Sequence, residues 1–272
     1  MQLRLDSLVA MICVGLSPVA AIAQSVATPQ IGAPIGLVTG PQGGHRVQAG
    51  TKAVMELFTS QGCSSCPAAD ALLKTYADRQ DVVALSLPVD YWDHLGWKDT
   101  LASPRNSARQ KAYAKSLGTG NVYTPQVVVN GIAQAVGSNR TEIEQAIQRT
   151  RLDAGRDAGS RPIDITGKAE GNKLTVEVGA APAGAPAASG TIWLAVVEPR
   201  VDVDIKHGEN RGRKLSYYNV VTDMTPVGMW SGKSVTLELP HGDKMQAGKR
   251  CAVLLQDGDA GRVISVAWVG QR

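Results

Sequence analysis

The sequence predicts an α/β domain with a mixed sheet and flanking helices, followed by an all-β, sandwich-like domain. Three observations carry this. Residues 53–151 alternate short apolar runs with longer amphipathic ones, in the order strand, helix, strand, helix, strand, strand, helix. The pair "VVVNGIAQAV" closes on Asn130-Gly131, a hairpin signal, so the sheet is mixed rather than all parallel. After Gly155 the texture changes to short alternating segments separated by Gly, Pro and Asp.

Each element follows from its own pattern. "AVMELF" (53–58) reads as a buried strand. From Pro67 to Asp78 a helix places Ala68, Ala69, Leu72, Leu73 and Tyr76 on one face. "DVVALSLPVD" (81–90) is a second strand, and "SPRNSARQKAYAKSLG" (103–118) is a helix with a serine start and a glycine stop. "TPQVVVNG" (124–131) holds a third strand, "IAQAVG" its hairpin partner, and "SNRTEIEQAIQRTR" (138–151) a last helix. Beyond it, two alternating segments flank Gly171-Asn172. "GTIWLAVVEP", "VDVDI", "KLSYYNVVTD", "KSVTLELP", "KRCAVLLQDG" and "GRVISVAWVG" continue the strand pattern, as in a sandwich or barrel. The α/β domain spans residues 51–155 and the β-rich domain 156–272, with the boundary near 152–160.

The first 23 residues read as a signal peptide: Arg4, an apolar stretch from Leu8 to Ala23, and a small-x-small end at Ala21-Ile22-Ala23. Residues 24–50, rich in Gly, Pro and Gln, read as a flexible leader. No later run is apolar enough to span a bilayer, so an exported protein, periplasmic or secreted, is expected. A net charge of +4 over 272 residues gives no case for nucleic acid or an anionic membrane as partner.

Export leaves Cys63, Cys66 and Cys251, because Cys13 lies in the signal. Cys251 sits in an alternating strand pattern and reads as a buried thiol. Cys63–Cys66 admits three readings: a redox dithiol, half of a metal site, or a covalent staple of the kind an oxidising compartment preserves. Zinc would need two more thiolate or imidazole ligands. There is no second C-x-x-C, and His45, His94, His207 and His241 are scattered. The setting favours redox chemistry. Cys63 follows a strand and opens a helix, where backbone N–H groups and the helix dipole favour a thiolate, and Cys66 lies one turn on to resolve a mixed disulfide. Strand-to-helix placement at this spacing is the thioredoxin-like redox arrangement. No cofactor beyond the dithiol is implied. Cu(I) handling by two soft ligands and a non-catalytic, partner-binding role remain alternatives.

The motifs "ELFTSQGCSSCPAAD", "VDYWDHLGWKD", "ARQKAYA", "YTPQVVVNG" and "GENRGRKLSYYNVV" together resemble a secreted bacterial branch of the thioredoxin-like superfamily, domain of unknown function 1223. The resemblance implies a thioredoxin-like domain with Cys63 as nucleophile, Cys66 as resolving thiol and Pro125 as a cis-proline after Thr124. The resemblance brings no established substrate; the dithiol itself implies disulfide-bearing or thiol clients and a separate redox partner. Pro88, in "SLPVDYWD", departs from the family pattern, which usually has a polar residue there.

Three further candidates come from position. Glu56 interrupts the first strand seven residues before Cys63 and is the candidate proton acceptor; thioredoxins usually carry a buried acid six residues before the first cysteine, and a difference of one residue changes the face of a strand. Tyr91 and Trp92, with Trp97 nearby, concentrate aromatic surface in a chain with five Trp, six Tyr and one Phe. They are candidates for walling a substrate cleft together with Thr124 and Pro125, and equally for packing anchors.

Overall fold

The computed structural model describes residues 51–152, 163–183, 189–240 and 248–269. The expected signal peptide (1–23), the leader (24–50) and most of the boundary stretch 152–160 lie outside them. The α/β part comprises β1 (Ala53–Thr59), α1 (Cys66–Ala77), β2 (Val82–Pro88), α2 (Pro104–Ser116), β3 (Gln126–Val129), β4 (Ala133–Val136) and α3 (Arg140–Thr150). Then follow β5 (Ile165–Glu170), β6 (Lys173–Val178), β7 (Gly190–Asp204), β8 (Lys214–Trp230), β9 (Val235–Pro240), β10 (Arg250–Gln256) and β11 (Val263–Val269).

Among the described residues the strands form two sheets. The larger has the order β11-β10-β7-β8-β2-β1-β3-β4, and the smaller is β5-β6-β9. β1 and β2 are parallel, and β3 runs antiparallel to β1 and to β4. This is a mixed sheet with flanking helices in the thioredoxin-like arrangement, accompanied by a smaller separate sheet. The β-rich half does not close on itself: β7, β8, β10 and β11 extend the mixed sheet, and β8 meets β2 at Ser86↔Val220. β2 would otherwise present an open edge of unpaired backbone groups. Where regular pairing stops, Asn219 adopts φ 49° and its Nδ2 donates to the Ala84 carbonyl.

The segments "GTIWLAVVEP" and "VDVDI" form one strand, β7, and β8 runs on past Pro226. Proline punctuates a sequence, but these two sit where β7–β8 pairing is locally irregular. Pro199 stands between the Glu198–Val220 and Arg200–Tyr218 pairs, and Pro226 lies beside a bulge at Ile192/Trp193.

Alternation along β1 decides what each face carries. Ala53, Met55 and Leu57 pack with Leu73 and Tyr76 of α1 and with Ile143 and Ile147 of α3. Val54 and Phe58 face the other way, toward Tyr113 of α2. A third core joins Leu174 and Val176 of the small sheet to Val253 and Leu255 of β10. Caps fix the helix starts: Ser103 Oγ accepts from Arg105 N, and Asn139 Oδ1 accepts from Glu142 N.

Candidate active site

Cys66 is the first residue of α1, and Cys63 lies in the loop that leaves β1. The two form a disulfide with Cα atoms 5.4 Å apart. Cys63 is 4% exposed and Cys66 is fully buried. The loop is wound tightly: Cys63 N donates to Ser60 O, and Cys66 N to Cys63 O. Pro67 is tolerated because first-turn amides have no partner within the helix. Gly62 gives the loop room, since a Cβ there would stand 3.2 Å from Trp92 Cβ.

The Thr124–Pro125 peptide bond is cis. Trp92 Nε1 donates to Thr124 Oγ1 at 2.8 Å, so the candidates Trp92, Thr124 and Pro125 are brought together. Gly137 ties this corner to α1. Its N–H donates to Pro125 O, and a Cβ there would meet Leu57 Cδ1 at 2.8 Å, Pro125 Cβ at 2.9 Å and Ala69 Cβ at 3.1 Å. Ala69 lies three residues after Cys66, so Pro125 packs beside the first turn of the dithiol helix. A Gly137→Ala variant is expected to lose about 1–3 kcal/mol of stability by overpacking. Thermal melts check the loss.

Tyr91 borders this corner, its hydroxyl lying near Thr124 as well as Gln110. Its hydroxyl donates to Gln110 Oε1 at 3.1 Å, its ring leans on Trp92, and burial pushes its hydroxyl up to about 12. Packed against the α2-side core, it supports Trp92 from behind. His94 is exposed, with Nδ1 beside Tyr91 O.

Glu56 sits on the α2 face of the sheet, opposite α1. It is fully buried and pairs with Arg109: Nε donates to Oε2 at 2.5 Å and Nη2 to Oε1 at 3.0 Å. Tyr113 OH also donates to Oε1, and Gln256 of β10 bonds both Arg109 and Tyr113. Burial works against the Arg109 guanidinium, but the Glu56 charge, Tyr113, the hydrogen bonds to Glu56 and the Asp259 charge together outweigh it, so Arg109 titrates above its ordinary value. The structure therefore engages Glu56 in a buried network that locks α2 to the β-rich half, away from the dithiol. Strand alternation sets this outcome: Glu56 shares the α2 face with Val54 and Phe58, whereas Met55 and Leu57 face α1.

The acid on the dithiol side is Asp70. It lies one helical turn after Cys66 on the buried face of α1 and is 4% exposed. Residues four apart on a helix are neighbours, which puts its carboxyl beneath Cys66. Neither oxygen has a hydrogen-bond partner among the described residues, nor do Thr59 Oγ1, Ser86 Oγ or Tyr217 OH. Burial pushes the Asp70 carboxyl up to about 8; the Thr59 hydroxyl offsets part of this without a well-formed hydrogen bond, and the charge of Asp99 adds to it. Burial, then the charges of Asp70 and Asp99, raise the Tyr217 hydroxyl above its ordinary value. The buried face of α1 runs through Asp70 rather than Ala68, which is exposed. The 66–70–73 spacing was the available signal.

The β7–β8 connection also reaches the dithiol segment. Asn210 Nδ2 donates to the carbonyls of Gln61 and Cys63, at 2.9 Å each, and Glu209 Oε2 accepts from Ser64 N at 3.1 Å. From the other side, Asp99 Oδ2 accepts from Gln61 N at 2.8 Å, and Trp97 Nε1 donates to Gln61 Oε1 at 2.7 Å. Among the described residues no group of three or more His, Cys, Asp or Glu side chains could hold a metal ion, and no helix is long and apolar enough to cross a membrane.

The arrangement is similar to that of two solved structures. A crystal structure of a structural-genomics target protein from Agrobacterium tumefaciens matches at 36% identity and TM-score 0.68, covering 82% of this chain and 96% of that one. HBP35 of Porphyromonas gingivalis matches at 12% identity and TM-score 0.56, over 80% of this chain and 74% of that one, a likeness of fold alone. No curated protein matches the chain. The family model described as "Protein of unknown function (DUF1223)" matches residues 54–256, which include the dithiol, the Thr124–Pro125 turn and the β7–β8 connection, and the chain belongs to that family.

Proposed function

We propose that the protein is a thiol–disulfide oxidoreductase acting in an exported compartment on disulfide-bearing or thiol clients. One observation carries the reading: an unpartnered, buried carboxyl one turn below the resolving cysteine of a C-x-x-C pair in a thioredoxin-like arrangement. In the reducing direction, the Cys63 thiolate attacks a client disulfide and one client thiolate leaves. Cys66 gives its proton to the Asp70 carboxylate and attacks Cys63 Sγ, releasing the second client thiolate. Two electrons pass to the client, and Cys63–Cys66 is left oxidised. In the opposite direction an incoming thiolate attacks Cys63, and protonated Asp70 supplies the proton to the departing Cys66 thiolate. Thr124, Pro125 and Trp92 form the wall against which a client segment would lie.

The burial of Cys63 favours a second reading, a permanent staple in a binding protein. The two differ in potential, since structural disulfides fall below about −300 mV. In the test, a Cys66→Ser variant in the exported fraction is expected to accumulate mixed disulfides through Cys63, and the wild type to reduce insulin. An absence of covalent partners and of insulin reduction, with a potential below that mark, would establish the staple instead.

A further inference from the structure

The β7–β8 connection, residues 205–213, is built to hold its shape. Gly208 and Gly212 take φ +72° and +80°, conformations glycine adopts without strain. Ile205 N donates to Arg213 O, Gly212 N to Ile205 O and Arg211 N to Gly208 O. Gly208 lies against Trp97, where a Cβ would stand 3.0 Å from Trp97 Cβ. Asn210 is 1% exposed and both its amide hydrogens are used, in bonds to the Gln61 and Cys63 carbonyls, while its oxygen accepts from Arg213 Nη1 at 3.0 Å. This firm mount presents Glu209, whose carboxylate takes the N–H of Ser64, the residue immediately after the nucleophile.

That N–H belongs to the loop entering α1, where amides otherwise favour an anion at Cys63. Glu209 occupies one such donor and adds a negative charge beside it. The other charged groups around this segment are the exposed Lys206 and Arg211 on the connection itself, Asp70 of α1, Asp99 with Asp93 bonded to its N–H, and Arg213 behind Asn210. His207 lies over Trp97. No ion pair of Glu209 forms among the described residues.

We propose that Glu209 is a positioning residue that restrains ionisation of Cys63, so that the β-rich half biases the dithiol toward the reducing end of its range. This rests on the oxidoreductase reading of the same site. The physical link is direct: a destabilised thiolate destabilises the reduced protein, which makes it the better electron donor.

Glu209→Gln is the informative variant, because its amide oxygen still accepts from Ser64 N while the charge is gone. In the reduced protein, the rate of Cys63 alkylation by iodoacetamide at pH 7 is expected to rise about two- to fivefold at low salt, the scale of one charge through partly solvated surroundings. The gain should shrink in 1 M salt. The equilibrium constant with a glutathione couple should move about three- to tenfold toward the reduced protein, or ~15–30 mV. An Asn210→Ala variant, compared by circular dichroism, separates this effect from loss of the loop. If Glu209→Gln leaves both alkylation and potential unchanged, Glu209 only anchors the loop and the proposal fails. Alkylation needs no client, so that failure is distinct from failure of the wild type to exchange disulfides at all.

Discussion

Replacing Asp70 with Asn is expected to stabilise the protein at neutral pH and to impair it as a redox protein. The carboxyl is pushed up to about 8 in the folded state by burial, against a usual value near 3.8. Between those values the folded chain holds a proton that the unfolded chain has released, so the Asp70 contribution to stability falls as pH rises from about 4 to about 8 and then levels. Asn cannot ionise in either state, so its advantage is absent at pH 4. It grows to about 4 kcal/mol at pH 7 and levels above pH 8. Denaturant melts of the oxidised proteins across this range measure the gap, and parallel curves for the two proteins would overturn the assignment.

The same substitution removes the group proposed to exchange a proton with Cys66. General acid–base groups contribute about 10²–10⁴-fold, so opening of the Cys63–Cys66 disulfide by a small thiol should slow at least tenfold. The pH profile is the sharper readout. Corrected for attacking thiolate, the wild-type rate should fall above about pH 8 as Asp70 loses its proton, whereas Asp70→Asn should be flat. A residue that both destabilises the fold and carries chemistry is the expected signature of a working site.

Local patterns were legible in the sequence, and long-range ones were not. The dithiol between strand and helix, the Thr124–Pro125 turn and the Asn130-Gly131 hairpin each depend on residues a few positions apart. Asp70 was equally local, but the apolar run drew attention to Ala68 and Ala69 instead. Asn210 and Cys63 are separated by 147 positions. No periodicity links "GENRG" to "GCSSC", because the contact depends on β8 pairing with β2 at Ser86 and Val220. That single junction also turns an expected separate sandwich into an extension of the mixed sheet. A strand pattern specifies which residues face inward, not which other strand will cover its edge.

Arg109→Met is expected to be among the most damaging substitutions in the chain, although Arg109 lies far from the dithiol in role. It would leave Glu56 buried without its cation and Tyr113 and Gln256 without a shared partner. Breaking one side of a buried pair costs about 3–5 kcal/mol, and for a chain of this size that lowers Tm by roughly 10 °C. The stacking of the guanidinium between Tyr113 and Trp193, 4.9 and 5.2 Å from their ring centres, is lost as well. Glu56→Leu combined with Arg109→Met should recover much of the loss, because two apolar side chains need no counter-charge. If the double variant is as unstable as the single one, the network matters for its hydrogen bonds rather than its charges. Activity separates the two acids. Folded Arg109→Met/Glu56→Leu protein should exchange disulfides at close to the wild-type rate with the wild-type pH profile, because Glu56 faces α2, whereas Asp70→Asn protein should fold well and exchange slowly. A double variant that folds but loses exchange would return Glu56 to the role of proton acceptor and remove Asp70 from it.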